Sequence, residues 1–190
     1  MKKLLTVLIG LLFTSCSFTG GNVPEVPLVP EAPEQHPGNI LEEYLSEQHP
    51  DFEKNVELAK TWFTTFTSED YDGLSALMTD DVQWQSGFYG GPVMDKEATL
   101  QYMKGWQDAM ENITYTPENY LPGVDPETGQ LNGSVRTYGV WTGTNTASGK
   151  DFEILMYHYF TFNDEGKIIN SGDFGDVSGL IGAVAPDSAE

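Results

Sequence analysis

The stretch Asp151-Phe152-Glu153-Ile154-Leu155-Met156-Tyr157-His158-Tyr159-Phe160-Thr161-Phe162, followed by Asn163-Asp164-Glu165-Gly166 and then Lys167 to Phe174, decides the fold. Side chains in a strand alternate between two faces, so Phe152, Ile154, Met156, His158, Phe160 and Phe162 share one of them. Asn163 to Gly166 has the composition of a tight hairpin turn, which predicts two antiparallel strands over Asp151–Phe162 and Lys167–Phe174. The short turn narrows the pairing until His158 faces Ser171 or Asp173. Either register leaves Asp173 on the same face as His158, with Cβ atoms about 5–8 Å apart.

Upstream, the same period of two predicts strands over Ile113–Tyr120 and Gly133–Thr144, separated by linkers rich in Gly, Pro, Asp and Asn. Before Ile113 the period is helical. Phe52, Val56, Ala59, Phe63 and Phe66 step by four and three, one apolar face of a helix from about Phe52 to Thr67. Tyr71, Leu74, Leu77 and Met78 continue as a second short helix that Ser68 or Asp70 can cap. Val82 to Gln85 reads as a short strand, and Gly87 to Pro92 interrupts regular structure. Asp95 can cap a third helix reaching about Glu111, with Leu100, Met103, Trp106 and Met110 on one face. Ile40 to Gln48 has the spacing of a further short amphipathic helix. Helices followed by an antiparallel meander predict an α+β fold with helices on one face of a curved sheet.

This order resembles the nuclear transport factor 2-like superfamily, and within it the SnoaL-like polyketide cyclase and ketosteroid isomerase group. The resemblance rests on the phenylalanine-faced first helix, on Tyr71-Asp72-Gly73-Leu74-Ser75-Ala76-Leu77-Met78-Thr79-Asp80-Asp81-Val82, and on the helix after Asp95. It continues through Tyr157 to Phe162, Asp164 to Ile169 and the closing Asp173 to Leu180, and covers about Asp51 to Ala185. It implies a curved antiparallel sheet forming a cone, packed against three N-terminal helices that close a pocket. It also sets His158 where ketosteroid isomerases keep an acid that hydrogen-bonds a substrate oxygen. Ser86 stands where those isomerases keep their base. A serine does not abstract a carbon-bound proton unaided, so this resemblance does not carry the isomerase reaction over.

His158 and Asp173 are the candidate catalytic pair. A carboxylate beside an imidazole fixes its orientation and tunes it for proton transfer near neutral pH, with His158 as proton carrier and Asp173 as its orienting partner. The plainer reading is a core histidine satisfied by one hydrogen bond, with an aspartate reaching water at the strand end. Trp62, Trp84, Tyr89, Trp106, Tyr138 and Trp141 supply aromatic surface. Trp62, Trp84 and Tyr138 are the candidate ligand contacts, Trp84 and Tyr138 being read as close to the pocket mouth, although each serves equally well as ordinary packing. His36 and His49 lie too far along the chain to join the pair. No nucleophile elbow, phosphate loop or histidine-glutamate metal helix is present, and no cofactor or metal is expected. Asp80-Asp81 and Asp173/Asp176 lack the oxygen spacing of a calcium loop and read as ordinary charge. Asn112-Ile113-Thr114 and Asn132-Gly133-Ser134 match the glycosylation pattern, which an anchored bacterial protein would leave unmodified.

The N-terminus predicts where the domain works. Met1-Lys2-Lys3 precedes an uncharged run from Leu4 to Phe13, the parts of a secretory signal over residues 1–15. Leu12-Phe13-Thr14-Ser15-Cys16 resembles a lipobox, with Phe13 where leucine is usual. That implies acylation of Cys16, the single cysteine, and a lipid anchor in a bacterial cell envelope. Ordinary signal cleavage with a free thiol is the alternative. Residues 16–39 place Pro24, Pro27, Pro30 and Pro33 three apart, between glutamates, and read as an extended tether. The domain is expected over 40–186, with a tail at 187–190. Lys2 and Lys3 leave with the signal, so the remainder carries 7 basic and 29 acidic residues, a net charge of −22. Such a surface repels nucleic acid, and leaves membrane attachment to the lipid.

The expected function is binding of a small hydrophobic molecule in the cone, with cofactor-independent isomerase, dehydratase or cyclase-like chemistry at His158 and Asp173. The alternative is a non-catalytic envelope module that dimerises or holds another protein through its sheet.

Overall fold

The computed structural model describes residues 49–187. The signal at 1–15, the tether at 16–39, the helix expected over Ile40–Gln48 and the residues after 187 lie outside them. Three helices, α1 (Phe52–Thr67), α2 (Tyr71–Ala76) and α3 (Lys96–Ala109), pack on a sheet of β1 (Met78–Gln85), β2 (Val93–Met94), β3 (Met110–Val124), β4 (Leu131–Asn145), β5 (Asp151–Phe162) and β6 (Ile168–Phe174). A fourth helix, α4 (Val177–Val184), follows the last strand.

Ala59, Trp62, Phe63 and Phe66 bury one side of α1, while Thr61, Thr64 and Thr65 return their hydroxyls to carbonyls one turn back. Asn55 Nδ2 donates to Gly133 O at 2.9 Å, pinning the start of α1 to β4. Gln107 Nε2 donates to Phe66 O at 2.9 Å, joining the end of α1 to α3. Asp70 and Asp95 cap α2 and α3 by accepting from Gly73 N and Ala98 N, each at 2.9 Å.

The strands run β2-β1-β6-β5-β4-β3 in one open sheet. All neighbours are antiparallel except β1 and β6, which are parallel, so the sheet is mixed where an antiparallel one was expected. The reason is topological: β1 belongs to the helical half of the chain and joins the sheet beside its last strand. Register shifts at Glu111/Thr114, Pro117/Asn119 and Pro122/Val124 bend β3 and curl that edge toward the helices. Gly166, at φ 77°, makes the hairpin turn before β6 in a conformation that a side chain would strain.

Two further differences concern boundaries. Met78 and Met110 open strands instead of closing helices, because each is buried against the sheet. The segment after Gly175 is a helix, capped by Asp176 accepting from Gly179 N at 2.9 Å. Its Gly179 and Gly182 dilute any helical period.

The core lies between α1 and the inner face of the sheet. Phe63 stacks on Tyr115 with centroids 3.8 Å apart, and the Tyr115 ring in turn lies across Gly139 of β4, where a Cβ would collide with it. Gly139→Ala is therefore expected to lower stability by about 1–3 kcal/mol through overpacking, read as a shift in the urea unfolding midpoint.

Candidate functional site

β5 and β6 pair His158 directly with Asp173. His158 Nδ1 lies 2.8 Å from Asp173 Oδ1, and the two residues are 2% and 6% exposed. Two tryptophans complete the arrangement. Trp141 of β4 donates its indole N–H to His158 Nε2 at 2.8 Å, and Trp84 of β1 donates its indole N–H to Asp173 Oδ2 at 3.0 Å. An indole nitrogen only donates, so His158 Nε2 carries the lone pair and Nδ1 carries the proton that Asp173 accepts. The imidazole is thus neutral, and the contact is an N–H to carboxylate bond, not an ion pair. Both nitrogens of His158 are occupied. Asp173 keeps lone pairs to spare, since a carboxylate has about four acceptor positions and two are used.

These groups stand against a small, partly open pocket of about 70 Å³. Trp62 and Phe66 come from α1, and Tyr102 and Trp106 from α3. Phe152, Ile154 and Met156 line it from β5, and Leu180 reaches it from α4. Asp173 and His158 are the ionisable groups among otherwise apolar and aromatic walls, with Tyr102. Burial, and after it the Asp173 charge, hold the Tyr102 phenol above the ordinary tyrosine value; burial does the same for Tyr115. In the unfolded chain both ionise near pH 10, so unfolding releases protons above that pH and stability falls as pH rises through it. The urea midpoint is expected to drop above about pH 10, and Tyr102→Phe to flatten that drop.

Of the residues expected at the site, His158, Asp173 and Trp62 line this pocket. Trp84 does not line it: fully buried, it stands behind Asp173 and holds it. Tyr138 is not near the pocket at all. Thr137 pairs with His158 on the inner face, so its neighbour Tyr138 points outward, 41% exposed, against Tyr157 at 5.1 Å. Ser86 is also outside the lining; its Oγ accepts from Phe88 N at 3.2 Å. Asp80 pairs with Lys96 at 3.0 Å and Asp176 caps α4.

Trp141, named in the sequence only among the aromatic surface, and Tyr102, not singled out there, also line the pocket. Trp141 shares its face of β4 with Thr137, and Tyr102 sits one turn before Trp106, so parity and helical spacing both pointed inward. Trp62 carries one further feature: among the described residues its buried indole N–H has no hydrogen-bond partner.

Residues 59–171 match the family model described as the SnoaL-like domain. No curated protein sequence matches the chain. Among solved structures, it is similar to a Catenulispora acidiphila protein with a ketosteroid isomerase-like fold, solved in complex with trimethylamine. That pair has a TM-score of 0.56 at 17% identity, over 70% of this chain and 98% of the other. It is similar also to IdmH from Streptomyces antibioticus, described as a proposed polyketide cyclase (TM-score 0.55, 20% identity, 67% and 96% covered). A third is SalBIII, an epoxide hydrolase/cyclase-like enzyme of pyran ring formation in salinomycin (TM-score 0.56, 21% identity, 68% and 96% covered). At these identities the likeness is one of fold.

Proposed function

Since the chain belongs to the family of SnoaL-like domains, we propose that its pocket binds a small molecule with an apolar body and one hydrogen-donating group, and that Asp173 receives a proton from it. The observation that carries this reading is the hydrogen-bonded series Trp141–His158–Asp173–Trp84 ending against an apolar cavity. His158 is here a positioning residue, because Trp141 occupies its second nitrogen. Asp173, with free lone pairs, is the base. Its carboxylate takes a proton from the ligand and becomes the acid. Returning that proton to a different carbon completes an isomerisation, and delivering it to a departing hydroxyl completes a dehydration, neither needing a cofactor. The unpartnered Trp62 N–H offers a donor to an oxygen of the same ligand.

Three tryptophans line the pocket, so occupancy is readable as a change in their fluorescence. Titration of the full chain with steroids, polyketides and flavonoids is expected to give a saturable response that Asp173→Asn weakens. Saturable binding unchanged by Asp173→Asn would remove Asp173 from the site. No response from any compound would sink the reading for these chemotypes.

The same proposal places the domain in a bacterial cell envelope, held by acylated Cys16 on the tether of residues 16–39. It is supported by the uncharged run before Leu12–Cys16. Palmitate labelling that Cys16→Ala abolishes is the expected result, and labelling that persists would exclude Cys16.

One observation favours the alternative of an interaction module. Tyr138, Tyr157, Tyr159 and Phe174 form a linked aromatic patch on the outer sheet face, beside exposed Leu155. If a second copy covers it, sedimentation should show a dimer that Tyr157→Glu dissociates.

A further inference from the structure

Asp173 is a buried charge without a countercharge. Its two partners are the indole N–H of Trp84 and the Nδ1–H of His158, and both are neutral groups because Trp141 occupies the other imidazole nitrogen. Among the described residues no lysine or arginine lines the pocket, and the salt bridges that lysines make are elsewhere. Arg136 pairs with Tyr159 on the outer face of the sheet. A carboxylate withdrawn from water in this way is costly unless something positive meets it.

The walls around it are suited to a positive group. Trp62, Tyr102, Trp106 and Trp141 surround the cavity with electron-rich rings, and such rings attract an organic cation most strongly where water is excluded. The Tyr102 phenol, kept protonated by its surroundings, adds no second charge. Among the described residues Asp173 is also the lone carboxylate of the lining, too few oxygens for a calcium or magnesium ion, which takes six or more. The protein as a whole carries a formal charge of −20, which raises the local concentration of cations and opposes anions.

We propose that this pocket selects a small organic cation, an alkylammonium or protonated amine carried on an apolar body, with the positive nitrogen against Asp173 and its substituents against the tryptophan and tyrosine rings. The inference rests on the reading of the pocket as a ligand site and names the class of ligand it takes. A neutral hydroxyl would satisfy an Asp173 lone pair equally well; it would leave the charge uncompensated and gain nothing from the rings.

Choline and its neutral carbon isostere 3,3-dimethylbutan-1-ol have nearly the same shape and hydroxyl, and 3,3-dimethylbutanoate supplies the anion. With the full chain, tryptophan fluorescence and calorimetric titration are expected to show choline binding at least about tenfold more tightly than the alcohol, with the anion weakest. Asp173→Asn is expected to narrow the gap between choline and the alcohol to what the rings alone supply. The comparison within the unaltered protein stands even if that variant folds poorly. Equal affinity for choline and the alcohol, or no binding of choline at millimolar concentration, overturns the proposal. The flat neutral compounds of the fluorescence titration separate the two failures. If they bind while choline does not, the pocket reading survives and the cation does not. If nothing binds, both fall.

Discussion

His158→Ala is expected to lower stability by about 3–5 kcal/mol, and adding Asp173→Asn to it is expected to restore part of the loss. The single change removes a side chain that is 2% exposed and leaves two groups stranded. The Trp141 N–H loses its acceptor, and the Asp173 carboxylate loses one of its two donors while remaining charged. Removing one member of a buried polar pair costs more than the pair contributed, because the remaining member keeps its desolvation penalty. Asparagine removes that charge, and its carbonyl oxygen still accepts from Trp84. For an ordinary core histidine held by one neutral bond, the second substitution would add its own loss. Urea unfolding followed by circular dichroism distinguishes the two. A double variant less stable than His158→Ala would mean that Asp173 does not carry a buried charge, and would weaken the cation inference with it.

The elements that sequence reading found are the ones whose period is long and unbroken. The bounds of α1 and β5 emerge at Phe52–Thr67 and Asp151–Phe162 because each alternates cleanly along its whole length. β1 was half seen: Thr79-Asp80-Asp81 is polar at the sheet edge, so its first residues resemble a turn. α4 carries glycine at Gly179 and Gly182 and lacks a polar face, and β2 is only two residues long. Both owe their structure to what they pack against. The pairing of His158 with Asp173 was legible because a short turn leaves few registers. The indole bonds from Trp84 and Trp141 were not, since they depend on ring orientation, which no periodicity encodes, and Trp84 lies 89 residues from Asp173. With His158 Nε2 occupied by Trp141, the proposed function gives the proton-accepting role to the Asp173 carboxylate instead of the imidazole. The misplacement of Tyr138 had a simpler source. Strand parity counted from Thr137, the partner of His158, turns Tyr138 outward.

Trp62 offers the sharpest separation between holding the fold and holding a ligand. Its ring lies 5.1–5.5 Å from the rings of Phe63, Phe66, Trp84 and Phe160, at the centre of the core. Trp62→Ala is expected to lower stability by about 3–5 kcal/mol, a large share of the 5–15 kcal/mol typical of a domain. Trp62→Phe retains most of the stacking surface and removes the indole N–H. That group makes no hydrogen bond among the described residues, so its loss breaks none there. The phenylalanine variant should therefore stay within about 1.5 kcal/mol of the parent, as a conservative aromatic exchange, while losing affinity for a ligand whose oxygen accepts from the indole. Choline and tetramethylammonium report on this directly, because both are quaternary ammonium ions and only choline carries the hydroxyl-bearing arm. If the N–H meets that hydroxyl, Trp62→Phe narrows the preference for choline and leaves tetramethylammonium unaffected. An equal loss for both would assign Trp62 to the aromatic wall alone.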